Sequence, residues 1–258
     1  METVIAAAGT EIAFERHGDG PPLIALHGSG ASGESLGPLV AQLAADYSVV
    51  VPDRRGRGAS GDGDDYSLDR EIEDLQALVD TVDGEPVVVA HSFGGLVALA
   101  AAPELDCSRL VLYEPAVTVG ESPDTPLSAQ VESVVDEGST TEAMRLFYEA
   151  GSGIPDVTAM PWWPEQINMD WIDTVIRELQ AVEGFELPSL DFDTPTLLLT
   201  GEHGPQHLAA GTRAVDDAHE HSRHVEIDGV GHLGLLSEPE RVAELVATFD
   251  DDPAAVGQ

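Results

Sequence analysis

Short, almost wholly apolar runs alternate along the chain with longer stretches in which apolar positions recur every three or four residues. Residues 23–26, 48–51, 86–90, 109–113, 196–200 and 224–227 read as strands. Strands apolar on both faces belong to a mostly parallel sheet covered by helices. Residues 4–8 and 11–16, divided at Gly9-Thr10, read as an opening hairpin. Helical spacing predicts helices over 34–45, 68–82 (Leu68, Ile72, Leu75, Leu78, Val79, Val82), 93–102 and 238–249. Between 116 and 190 the alternation stops, and the pattern becomes helical and irregular, with many Pro and Gly. That stretch is too long for a crossover. It predicts a helical cap inserted into an α/β core formed by 1–115 and 191–258, with residues 250–258 as a frayed tail.

Charge changes the picture most. Asp and Glu number 48 against 11 basic residues, for a net charge of -37, and all 11 bases are Arg. Such a surface repels nucleic acid and anionic membranes. The acids are spread along the chain, so this is not a partner-binding tail. Molar salt shortens the Debye length to about 3 Å and relieves the repulsion. The composition therefore points to a halophilic protein in a salt-rich cytoplasm. The single Cys107 permits no internal disulfide and no Cys-based metal site. The N-terminal segment lacks the basic start of a secretory signal, and no apolar stretch reaches membrane-spanning length. A cytoplasmic location and a small-molecule substrate are expected; oligomeric state is left open.

The densest chemistry lies in VVVAHSFGGLVALAAA, residues 87–102. A buried strand runs into His91-Ser92-Phe93-Gly94-Gly95 and leaves as a helix. A serine on so sharp a turn is exposed at the strand end, and its neighbours two residues away must be small. Ala90 and Gly94 are, which makes this a G-x-S-x-G nucleophile elbow with Ala in the first position. On these residues the chain resembles the α/β-hydrolases. DRRGRGAS, residues 53–60, resembles a loop common in that family. It reads as a Gly-rich turn braced by Arg–carboxylate pairs, with no catalytic role.

The resemblance implies the remaining parts. The loop LHGSGASG after the third strand would supply one oxyanion-hole N–H, from Ser29, and the residue after the nucleophile, Phe93, the other. The base comes last in chain order in this fold, which selects His232 in VEIDGVGHLGLL. His203 and His207, and His219, His221 and His224, are close enough in sequence to suggest a metal. Without a carboxylate-ligand pattern they read as solvated polar residues, and no metal or cofactor is expected.

The acid raises a difficulty. The family usually places it in a Gly-Glu-x-Asp pattern after the strand at 196–200, where this chain has Gly201-Glu202-His203-Gly204. Glu114 in LVLYEPAV, at the end of the strand following the nucleophile, is the candidate replacement; Glu202 and Asp228 are its rivals. The series DRRGRGAS, AHSFGG, LVLYEP and GVGH resembles a group of small α/β-hydrolases that carry Tyr-Glu-Pro here. All three Trp lie in the predicted cap, and His27, Trp162 and Trp163 are candidates to line a substrate pocket.

The expected activity is cofactor-free hydrolysis of a small, largely apolar ester or related carbonyl compound by Ser92, His232 and Glu114. Carbon–carbon or lactone hydrolysis and perhydrolysis use the same triad. A non-catalytic ligand-binding protein on this fold is the alternative of another class. A serine at position 92 departs from the Asp nucleophile of haloalkane dehalogenases and epoxide hydrolases. The absence of Lys removes the hydroxynitrile lyases.

Overall fold

The computed structural model describes residues 1–63, 65–120 and 123–251. The expectation for the tail beyond residue 251 lies outside them. Among the described residues eight strands form one sheet: β1 Glu2–Ile5, β2 Glu11–His17, β3 Pro22–Leu26, β4 Ser48–Pro52, β5 Val87–His91, β6 Arg109–Tyr113, β7 Thr196–Gly201 and β8 Ser222–Ile227. Their spatial order is β1-β2-β4-β3-β5-β6-β7-β8. β1 and β2 form the expected antiparallel hairpin, β2 pairs antiparallel with β4, and the remaining pairs are parallel. This is the α/β-hydrolase architecture.

Nine α-helices accompany the strands among the described residues: α1 Gly37–Leu43, α2 Leu68–Val79, α3 Phe93–Ala101, α4 Leu127–Asp136, α5 Thr140–Ser152, α6 Ile172–Gly184, α7 Gln206–Ala218, α8 Gly234–Ser237 and α9 Pro239–Asp251. Alternate residues of each central strand enter opposite layers. Ile24, Leu26, Val88, Ala90, Leu110 and Leu112 pack with α2, α3 and α7. Leu23, Ala25, Val87, Val89, Val111 and Leu199 pack with α1 and α9. That two-sided burial is why the strands read as continuous apolar runs.

Two helix boundaries differ from the periodicity. The helix expected over 34–45 begins as a 3₁₀ turn, Gly33–Leu36, and becomes α only at Gly37, with Pro38 in its first turn. The helix at 68 starts where Ser67 accepts the Arg70 N–H, and it ends at Val79; Val82 packs on the core from the turn that follows. Between β6 and β7, α4 to α6 gather their own apolar cluster around Val131, Met144, Phe147, Tyr148 and Val175.

The loop after β4 ties this helical segment to the sheet. Arg55 pairs bidentately with Asp74 of α2, at 2.7 and 2.8 Å. Arg54 pairs with Glu71 of α2 at 3.0 Å and with Glu178 of α6. Arg57 meets the other oxygen of Glu178 at 2.5 Å. The bracing by Arg–carboxylate pairs is present, but half of it reaches into the inserted helices. All of these side chains are buried. Removing one member of a buried ionic network strands its partners without water. Glu178→Ala is expected to destabilise the fold by about 3–5 kcal/mol in urea unfolding at molar KCl. A loss below about 1 kcal/mol, the range of an exposed pair, would contradict this role.

Candidate active site

The order of the sheet reverses around β3: β4 lies on one side of it and β5 on the other. Ligands of open parallel sheets bind beyond the carboxyl ends of the strands at such a reversal. The loop after β3 and the turn after β5 meet there. A Cβ on Gly28 would lie 2.9 Å from Ser92 Cβ and 3.0 Å from His91 Nδ1, so only glycine lets the loop come this close.

Ser92 sits between β5 and α3 at φ 53° and ψ -118°, a region that side-chain-bearing residues rarely adopt. The fold pays for that strain with three backbone hydrogen bonds: Ser92 N–H to Tyr113 O (3.0 Å), and Leu96 and Ala116 N–H to Ser92 O (3.1 and 2.9 Å). Ser92 is half-buried. Phe93 opens α3, where first-turn N–H groups have no intrahelical acceptor. Its ring is buried beneath the Arg54 guanidinium, 4.7 Å from the ring centre. Ser29 is half-buried in the loop after β3.

Glu114 is the second strained residue, at φ 42°. Its N–H bonds Leu199 O (2.8 Å), and its side chain is fully buried. Oε1 accepts the Gly201 N–H at 2.9 Å, and Oε2 lies 2.6 Å from His232 Nδ1. The glycine at 204 explains how this carboxylate fits. A Cβ there would stand 1.9 Å from Glu114 Oε1. The position where a later acid was expected is kept empty because the Glu114 carboxylate fills it. Glu202, by contrast, is exposed and accepts the Gly229 N–H at 2.8 Å, and Asp228 is also exposed.

His232 is buried. A proton on Nδ1, shared with Glu114, leaves Nε2 as an acceptor. Burial lowers its pKa to about 3, with His207 contributing, and burial raises that of Glu114. The carboxylate contact opposes the His232 shift, and burial sets its direction downward.

His27 is a correction. It was expected to line a pocket, yet it is fully buried and both ring nitrogens are engaged within the protein. Nδ1–H donates to Gly28 O at 2.8 Å, and Nε2 accepts the Arg54 N–H at 3.0 Å. Burial and then Arg54 hold it far below its ordinary pKa. It fastens one loop to another. Trp162 and Trp163 are half-buried and pack on Tyr148, at ring separations of 5.4 and 6.2 Å. Tyr148 donates its hydroxyl to Gly30 O at 2.8 Å and so joins α5 to the loop after β3. His219 is likewise buried rather than solvated; it packs on Phe192 and donates to Thr194 O at 3.1 Å.

The eight-stranded, mostly parallel sheet, its reversal at β3 and the strained serine before α3 define the class, an α/β-hydrolase. The alpha/beta hydrolase family matches residues 23–245, and the chain belongs to it. Over 96 residues it is 40% identical to the magnesium-chelatase 30 kDa subunit of Rhodobacter capsulatus, covering 36% of this chain and 34% of that protein; it thus spans about a third of that relative's length. Over 261 residues it is 27% identical to a provisionally named non-heme bromoperoxidase of Mycobacterium tuberculosis, covering 92% of this chain and 97% of that one. An alpha/beta hydrolase from Sphaerobacter thermophilus superposes with a TM-score of 0.82 at 29% identity, covering 96% of this chain and 100% of that one.

A lowered His232 pKa keeps the imidazole neutral as pH falls, so any activity that needs neutral imidazole should persist below the unperturbed value of about 6.5. Hydrolysis of p-nitrophenyl butyrate is expected to show no loss centred at about 6.5, while circular dichroism reports an intact fold. An inflection at about 6.5 would place His232 in a solvated setting instead.

Proposed function

We propose that the protein is a cofactor-free serine hydrolase acting on a small, largely apolar ester or related carbonyl compound, with Ser92, His232 and Glu114 as its triad. The observation that carries this reading is the 2.6 Å contact from Glu114 to His232 Nδ1, at the end of the strand beside the Ser92 elbow. His232 Nε2 takes the Ser92 hydroxyl proton as Oγ attacks the carbonyl carbon. The tetrahedral oxyanion receives the N–H groups of Ser29 and Phe93. Collapse expels the alcohol, which leaves with the proton held on His232. Water, deprotonated by the same nitrogen, then releases the acid and regenerates Ser92. Glu114 stays ionised and stabilises the imidazolium in both halves.

The apolar substrate class rests on the aromatic cluster of Phe147, Tyr148, Trp162 and Trp163, joined to the oxyanion loop through Gly30. The strongly acidic chain favours a small molecule over nucleic acid or an anionic membrane as its partner. Among the described residues no helix is long and apolar enough to cross a membrane. A cytoplasmic, salt-adapted enzyme accords with the charge. The bromoperoxidase relative favours a second reading, in which hydrogen peroxide replaces water at the acyl-enzyme.

A fluorophosphonate is expected to label Ser92, mapped by mass spectrometry in molar KCl. Glu114→Gln should slow that acylation about 10⁴-fold, while Glu202→Gln should cost less than about tenfold. An adduct on another serine would overturn the nucleophile. Normal labelling of Glu114→Gln alongside a loss in Glu202→Gln would move the acid to the later strand.

A further inference from the structure

We propose that His91 and Tyr113 are positioning residues that set the aim of the His232 imidazole; this rests on the triad reading above. β5 and β6 are parallel and in register, and His91 and Tyr113 are their last pair. The next residue on each strand is Ser92 or Glu114. Each strand therefore ends in two successive functions: a residue that reaches the His232 loop, then a residue of the triad.

The contacts fall on the two peptide groups that flank the His232 Cα. The Tyr113 hydroxyl donates to Gly231 O at 2.7 Å, and His91 Nε2–H donates to His232 O at 2.9 Å. Gly231 O also accepts the Gly234 N–H at 2.9 Å. With the backbone held on both sides, only the two side-chain torsions of His232 remain, and the bond from Nδ1 to Glu114 fixes those. The imidazole of His91 adds a direct constraint, since its ring lies 4.5 Å from that of His232. On its other side, its Nδ1 faces the space kept open by Gly28. His91 thus spans the oxyanion loop and the base. Both side chains direct their hydrogen bonds to backbone carbonyls and not to Ser92 or the His232 ring nitrogens. Both act through the direction of His232 Nε2, and a misplacement of about 1 Å in such a group can cost 10²-fold in rate.

The test measures fluorophosphonate inactivation of the full chain in molar KCl, separating the maximal acylation rate from the apparent probe affinity. Tyr113→Phe removes one oxygen. His91→Leu removes the donor, and His91→Gln keeps an amide N–H at a similar reach. Tyr113→Phe and His91→Leu should lower the maximal rate roughly 10–100-fold with affinity changed less than about twofold, while His91→Gln stays within about threefold of the parent. Thermal melting reports the fold, and if His91→Leu fails to fold, Tyr113→Phe decides. Parental acylation in Tyr113→Phe, or equal losses in His91→Gln and His91→Leu, would overturn the proposal. A parent chain that takes no label on Ser92 overturns the triad reading and this inference together. A labelled parent with unaffected variants overturns the inference alone.

Discussion

The site depends on a space one side chain wide. At residue 204 any Cβ would overlap the Glu114 carboxylate, and glycine leaves room for that carboxylate to reach His232 from the neighbouring strand. Glu is long enough to cross this gap, and its positive φ turns the side chain out of the β6 direction toward His232. The carboxylate is not left to find its own place. Gly201 N–H holds one oxygen and His232 the other, so a fully buried carboxyl group has a partner at both ends.

The surroundings make that arrangement rigid. Ser92 and Glu114, each in a strained conformation, follow the same registered pair of strand residues, so one ladder sets their spacing. The inserted helices are attached to this edge at two places. Tyr148 bonds the loop after β3 at Gly30, and Glu178 gathers Arg54 and Arg57, the first of which also covers Phe93. Arg54, Arg55 and Arg57 are all buried, so three of the 11 cations are withdrawn from an already acidic surface. Arg suits these places because its planar fork can serve two carboxylates or backbone carbonyls at once.

Much of this was legible in the chain. Continuous apolar runs located the strands, because burial on both faces removes the polar alternation of a one-sided sheet. The elbow was legible because the crowding around Ser92 admits few residue types. Glu114 could be proposed from a missing aspartate, but the reason for Gly204 could not, since the clash exists only between elements about 90 positions apart in sequence. His27 misled for a related reason: a histidine beside a Gly-rich loop looks available for a ligand until Arg54 and Gly28 are seen to occupy both nitrogens. His91 and Tyr113 stand next to Ser92 and Glu114 in plain view, yet their contacts with the His232 loop depend on strand register and on a partner more than a hundred residues away.

The most direct test of the account exchanges the acid between the two positions. Acylation by a fluorophosphonate would be measured for Glu114→Ala, Gly204→Asp and the double variant, all folded in molar KCl. If Glu114 occupies the space that Gly204 vacates, each single change is harmful, and the double variant recovers at least about tenfold over Glu114→Ala, because a carboxylate again reaches His232. Parental acylation by Gly204→Asp alone, or a double variant no faster than Glu114→Ala, would contradict the account.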